Sequence, residues 1–175
     1  MGVRALLAAL GVAVLALAGC QIVQVETPHP AAIPSGSLEA DGPAAIGPVV
    51  ELGSGSTAGI GWRFAIFESD DGWCMQLETQ AVTQTGCGQI PPEEGDAFGA
   101  VSQSGSIVHG VASEETATVF LIIDSLGRVP ATLMALDDAG LEGHAFVGTA
   151  PADANVTHVM AVKLNGEILQ TYELP

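Results

Sequence analysis

Short apolar runs separated by turn residues fill the chain from about Ile60 onward. In Trp73–Gln80 the side chains alternate, with Trp73, Met75 and Leu77 on one face, which is typical of a half-buried strand. β-branched residues dominate the runs and no run keeps a 3.6-residue period, so the pattern predicts strands and not helices. The other predicted strands are Trp62–Phe67, Ser106–Ala112, Thr116–Asp124, Ala131–Leu136, His144–Gly148, Val156–Leu164 and Glu167–Glu173.

Turn residues lie between these runs. Asp70-Asp71-Gly72 and Asn165-Gly166 predict tight hairpins, because Asp, Asn and Gly tolerate positive φ. Seven or more short strands at this spacing predict an all-β domain over residues 60–175, an antiparallel β-sandwich of immunoglobulin or fibronectin type III character. A closed barrel is the alternative. Further turns are predicted at Ser125–Gly127, Asp137–Gly140 and Pro151–Ala154.

The composition changes before residue 60. From Gln21 to about Gly59, five prolines recur among Gly, Ser and Ala, and no helical or strand period survives this punctuation. Residues 20–59 are therefore predicted to form an extended, flexible tether that precedes the domain. The alternative is that Val49–Leu52 forms a first strand.

The first twenty residues have the features of an export signal. Arg4 precedes a run of small and apolar residues, Ala5–Ala18, which is shorter than the roughly 18 to 20 residues that a transmembrane helix needs. The run ends in Leu17-Ala18-Gly19-Cys20, which resembles the lipobox of bacterial lipoproteins. The resemblance implies a signal peptide over residues 1–19, a signal helix that is cleaved before Cys20, and acylation of the Cys20 thiol. Ordinary secretion after Ala18 and an uncleaved anchor helix are the alternatives.

The cysteine count supports the lipobox. The chain has three cysteines, and an odd number in an exported protein needs an explanation. If Cys20 carries lipid, Cys74 and Cys87 remain and can pair, and such a disulfide persists outside the cytoplasm. We expect it to join a strand to the loop that follows, with two buried free thiols as the alternative. Closing a loop of this length stabilises a fold by roughly 3 kcal/mol.

A second resemblance covers most of the predicted domain. Trp62-Arg63-Phe64, Asp71–Leu77, Cys87-Gly88 and the Val159–Tyr172 hairpin are together similar to uncharacterised secreted β-sandwich domains of high-GC bacteria. The resemblance implies a β-sandwich fold. It implies no activity, because none is known for that group.

The charge of the chain excludes several partners. Four basic residues stand against 20 acidic ones, and the formal net charge is -16. So few basic groups cannot neutralise phosphates, which excludes nucleic-acid binding and a polybasic membrane-surface segment. Removal of residues 1–19 takes away Arg4 and no acidic residue, so the mature chain is more negative still. Its surface would repel anionic lipid headgroups and other polyanions.

No motif in the chain predicts catalysis, a cofactor or a metal. Nucleophile elbows, P-loops, dinucleotide-binding loops and H-E-x-x-H spacings are all missing from the sequence. The acidic clusters Glu68/Asp70/Asp71 and Glu93/Glu94/Asp96 offer oxygen ligands for Ca²⁺, but neither matches the calcium-loop pattern. We interpret the first cluster as a hairpin turn and the second as a solvated loop.

Aromatic and imidazole side chains are the remaining candidates for chemistry. Trp62 and Trp73 could form a carbohydrate-binding platform, but in a domain with two tryptophans they are interpreted as core. His109 and His158 fall inside predicted strands, where packed or edge positions are expected rather than metal ligands or general bases.

Together these observations lead to one expectation for function. The protein is expected to be a non-catalytic binding or structural module of the cell envelope, with no cofactor. The lipid on Cys20 would hold it to the cell membrane or outer membrane, facing the extracytoplasmic side, where its partner is an envelope protein or ligand. The alternative is an envelope hydrolase, with paired carboxylates as in glycosidases, or a Ca²⁺-dependent ligand-binding protein, with a site assembled from distant residues.

Overall fold

The structure is a computed structural model and describes residues 42–57, 59–90 and 92–175. Within these ranges the chain forms twelve strands in three four-stranded antiparallel sheets, which confirms the predicted all-β antiparallel fold. The strands are β1 (Val50–Thr57), β2 (Ile60–Ser69), β3 (Gly72–Thr79), β4 (Thr83–Cys87), β5 (Phe98–Ser104), β6 (Ile107–Ala112), β7 (Thr118–Ile123), β8 (Gly127–Pro130), β9 (Thr132–Ala135), β10 (His144–Thr149), β11 (Val156–Val162) and β12 (Ile168–Glu173), with a 3₁₀ turn at Asp137–Ala139.

The order of the strands divides the described chain into two parts. The N-terminal sheet is a meander in the order β1-β2-β3-β4. After it, hairpins are placed alternately in two further sheets: β5-β6 and β9-β10 form the central sheet, and β7-β8 and β11-β12 form the C-terminal sheet. Strands β6 and β10 pair in the middle of the central sheet, as β7 and β11 do in the C-terminal sheet.

The central sheet is buried on both faces, as β6 shows. Ile107 and Val111 pack in an apolar cluster with the N-terminal sheet, whereas Val108 and Ala112 pack in a second cluster with the C-terminal sheet. A strand with no solvated face reads as a continuous apolar run, which is what β6 has. The molecule is therefore a sandwich of three layers. The immunoglobulin and fibronectin type III arrangement has two, so the sandwich is confirmed but that finer resemblance is not.

The folded domain begins before residue 60, with strand β1. Val50–Thr57 pairs along β2, so the alternative of a first strand near Val49–Leu52 is confirmed, and the tether predicted up to residue 59 is at least ten residues too long. The composition of β1 is misleading for a packing reason. Gly55 lies opposite Trp62, and a Cβ atom at Gly55 would stand 2.7 Å from the indole. The glycine leaves room for the ring but makes the segment look like a linker.

Three strands are not predicted by the apolar pattern. They are β4, β5 and β8, and each lies at the edge of a different sheet. An edge strand packs against one neighbour, so short polar sequences with glycine are tolerated there and carry little alternation.

Both predicted hairpins form. Their glycines, Gly72 and Gly166, follow the two central residues of the turn and do not belong to the central pair as predicted. The Gly166 N–H donates to the Lys163 carbonyl over 3.0 Å, which makes Leu164-Asn165 the central pair. Gly166 follows with φ of +87°, as in a G1 bulge. At the first hairpin the turn is Asp70-Asp71, and Gly72 follows with φ of +98°.

Polar side chains link the layers at the β4, β5 and β12 edges. Gln84 of β4 donates through Nε2 to Ser102 Oγ of β5 over 2.6 Å, which joins the N-terminal and central sheets. Gln170 of β12 accepts the backbone N–H groups of Ala97 and Phe98 at its Oε1, over 2.8 and 3.3 Å. The two bonds to Gln170 satisfy backbone donors where the chain enters β5.

Candidate functional site

The Cys74–Cys87 disulfide is present, as predicted, with an S–S distance of 2.01 Å. Its position differs from the expected strand-to-loop link, because Cys87 is the last residue of β4 and lies directly opposite Cys74 of β3. The Gly88 N–H donates to the Trp73 carbonyl beside this pair, so the cysteines occupy a non-hydrogen-bonded position, where side chains come closest. The bond therefore joins two adjacent strands of the N-terminal sheet.

The predicted lipidation site, Cys20, lies outside the described residues, as do the signal peptide and the first part of the tether. In the part of the chain that the structure describes, no helix has the length and apolar character needed to cross a membrane.

The first acidic cluster is a hairpin turn, as interpreted. Asp70 and Asp71 are exposed between β2 and β3. The Ser69 hydroxyl accepts the Asp71 N–H over 3.2 Å and donates to the Gly72 carbonyl over 3.0 Å. The serine side chain thus holds the turn, and the carboxylates face solvent.

The second acidic cluster lines a cleft of about 380 Å³. Glu93, Glu94 and Asp96 lie on the segment that connects the N-terminal sheet to β5. The loop after β6 and the loop before β10 bring further carboxylates to the same cleft: Glu114, Glu115 and Glu142. Sequence spacing could not group these six acids, because the two loops meet only through the pairing of β6 with β10.

A lysine side chain lies beside the cleft and pairs with one of its carboxylates. Lys163 Nζ lies 2.7 Å from Glu115 Oε2, and the hydrogen bond to Glu115 raises the pKa of the lysine. The other walls are neutral and include Pro92, Ser113 and Leu169. Such a cleft attracts cations and repels anions. Among the described residues, no group of three or more His, Cys, Asp or Glu side chains is arranged to hold a metal ion.

None of the three histidines in the described residues is among those that line the cleft. His109 is fully buried in β6, as the packed interpretation expects, and burial lowers its pKa to about 4. His158 of β11 is half-buried and lies opposite Glu173 of β12. His144 Nδ1 lies 3.4 Å from the Ser113 carbonyl.

The tryptophans do not form an exposed platform. Trp62 is only 5% exposed and packs in the apolar cluster between the N-terminal and central sheets. Trp73 is half-buried and packs against the same cluster. The interpretation of both rings as core is confirmed.

No protein-family model matches the chain, and no curated protein or solved structure is significantly similar to it.

Proposed function

We propose that the protein is a lipid-anchored, extracytoplasmic β-sandwich that serves as a non-catalytic binding or structural module of the cell envelope. The observation that carries the proposal is the Cys74–Cys87 disulfide. It uses two of the three cysteines and leaves Cys20, which ends the lipobox-like Leu17-Ala18-Gly19-Cys20, as the one thiol available for acylation. A disulfide across two strands is also typical of a protein that works in an oxidising compartment.

Acylation would make the attachment to the membrane stable. Each buried methylene contributes about 0.8 kcal/mol, and two or three acyl chains exceed what a single chain provides. The net charge of -16 opposes contact with anionic headgroups, so the lipid and not the protein surface would supply the affinity. The same charge favours a partner that is neutral or basic over a polyanion.

A binding role is favoured over catalysis by the location of the groups whose pKa is shifted. Catalytic acids and bases combine a shifted pKa with access to a cleft. Here His109, whose pKa is far below its ordinary value, is sealed between two sheets. The acidic cleft has Lys163 beside it, and that ammonium is paired with Glu115. Turnover of a glycan or ester that Glu94→Gln abolishes and Asp71→Asn retains would instead support the envelope-hydrolase alternative.

The anchor is tested by replacing Cys20. Wild type should fractionate with membranes and carry an acyl mass shift on a chain that begins at Cys20, whereas Cys20→Ser should be released. The matched control is the double variant Cys74→Ala/Cys87→Ala, which keeps Cys20 and should stay with the membranes. A Cys20→Ser protein that remains membrane-bound, together with a wild type that has no acyl mass, would overturn the anchor. A soluble wild type cleaved after Ala18 would mean ordinary secretion.

A further inference from the structure

The His109 ring lies at the joint between the N-terminal and central sheets. It belongs to β6, where it stands opposite Val147 of β10 and Ser102 of β5. Phe64 of β2 meets the ring edge-on, with centroids 5.6 Å apart and planes at 70°. The side chain is 0% exposed, and neither ring nitrogen has a hydrogen-bond partner within the described part of the chain. An imidazole in this position is tolerated as a neutral aromatic group, because a neutral ring costs far less to bury than a charged one.

Among the residues that the structure describes, no charged group faces the ring from the strands and turn packed around it. Arg63 and Glu78 pair with each other over 2.7 Å on the opposite face of the N-terminal sheet. Strand alternation also places Glu51 on that opposite face, and places His144 on the opposite face of the central sheet. Glu68, Asp137 and Asp138 are exposed. The nearest polar neighbours by register are the neutral Ser102 and Gln84, so a proton on His109 would create a buried, uncompensated charge.

The N-terminal sheet is a contiguous unit of the chain. Its four strands are consecutive in the chain and, within the described residues, form strand pairs only with one another, so no backbone ladder joins them to the central sheet. The contact between the two sheets is an apolar cluster, with the Gln84–Ser102 bond beside it. Contiguous units of this kind open sub-globally in native proteins at a free-energy cost below that of global unfolding.

We propose that this joint is acid-sensitive: protonation of His109 opens the N-terminal sheet away from the central sheet, while the central and C-terminal sheets stay packed together. The direction of the pH effect follows from the difference in proton binding between the docked and the open state. Burial lowers the pKa of His109 from 6.5 to about 4. The contribution of the neutral ring to the free energy of docking is therefore complete above pH 6.5, and it is lost as the pH falls from 6.5 through 4. Opening would expose the apolar inner faces of the two sheets, including Phe64 and Ile66 of β2.

Hydrogen exchange on the exported protein, purified in detergent, tests the proposal. The compared proteins are wild type, His109→Leu, which keeps an apolar side chain without a proton site, and His158→Leu as the matched control. Between pH 7 and pH 4, the opening constant of the β2 and β3 amides in wild type and in His158→Leu should rise about a hundredfold more than in His109→Leu. The amides of β7 and β11 should keep their protection in all three proteins.

Two outcomes would overturn the proposal. One is an equal pH response of the β2 amides in wild type and His109→Leu. The other is simultaneous opening of β2 and β7, which would mean global unfolding. If His109→Leu does not fold, the imidazole signals of wild type are followed by NMR instead. Titration of the ring near pH 6.5 with unchanged β2 protection would contradict the inference, and titration near pH 4 together with loss of β2 protection would support it.

Discussion

At the scale of single residues, neighbouring strands and layers of this protein approach so closely that several strand glycines leave little room for a Cβ atom. Gly55 faces the Trp62 indole, and a Cβ atom at Gly53 would lie 2.8 Å from the sulfur of Met134. At Gly110 in the central sheet, a Cβ atom would lie 2.5 Å from the Ala100 carbonyl oxygen. A flexible side chain can move aside, but a backbone carbonyl in a ladder cannot.

Gly110→Ala is therefore expected to lower the free energy of unfolding by about 1–3 kcal/mol, the usual cost of overpacking. Its added methyl would also stand 2.9 Å from the Phe146 ring. Urea unfolding measures the effect. Gly86→Ala in β4 is the control, because its Cβ would meet Met75 at an ordinary 3.9 Å, and it should be neutral or slightly stabilising. Equal midpoints for the two variants would show that the Gly110 backbone can shift.

At the scale of elements, the β4 edge of the N-terminal sheet is held by contacts other than apolar packing. Strand β4 is short and contains no apolar residue besides Cys87 and Gly86, yet it forms the edge of the N-terminal sheet. Its ladder to β3 ends at the Cys74–Cys87 pair, and Gln84 ties it to β5. A covalent bond at this point replaces the side-chain burial that a longer edge strand would have.

Removal of the disulfide should accordingly destabilise the domain. Cys74→Ala/Cys87→Ala is expected to lower the free energy of unfolding by about 3 kcal/mol, because the bond closes a segment with a sequence separation of 13. Denaturant unfolding of the double variant measures this change, and Cys20→Ser should leave it unchanged. Non-reducing peptide mapping of the exported protein checks the premise. Two free, alkylatable thiols in that protein would contradict it.

At the scale of the whole molecule, repulsion between acidic groups opposes the stability that apolar burial provides. Three stacked sheets bury aromatic and aliphatic side chains on both faces of the middle layer. Of the acidic residues that the structure describes, all but the half-buried Glu78 are exposed, and six of them converge on one cleft. Self-repulsion of this kind destabilises a compact state and is weakened by salt, because the screening length falls from about 30 Å at 0.01 M to about 8 Å at 0.15 M.

Added salt should therefore raise the thermal midpoint of the mature protein. NaCl and choline chloride at 0.15 M are expected to raise it equally, by a few degrees, relative to 0.01 M, since general screening does not distinguish the cations. Differential scanning fluorimetry at pH 7 measures the shift. Stabilisation by 1 mM CaCl₂ that 1 mM MgCl₂ does not reproduce would point to a specific calcium site and to the Ca²⁺-dependent alternative.

The sequence by itself determined the features that depend on neighbouring residues. The alternation of Trp73–Gln80 and the apolar runs of β6, β7 and β11 identified strands, because the side-chain period of a strand is local. The count of three cysteines identified Cys74 and Cys87 as partners before their distance was known. The lipobox-like motif is likewise local, and the anchor on Cys20 stays a prediction.

The tertiary structure alone decided what depends on the pairing of distant strands. Polar edge strands such as β4 and β5 form because a neighbour offers a free ladder, which their own sequences do not record. Pairing of β6 with β10 brings Glu114 and Glu142 to the loop that carries Glu94. Whether an imidazole in a strand faces solvent or core depends on how many sheets are stacked. His109 is buried because a third layer covers the face that a two-layer sandwich would leave in water.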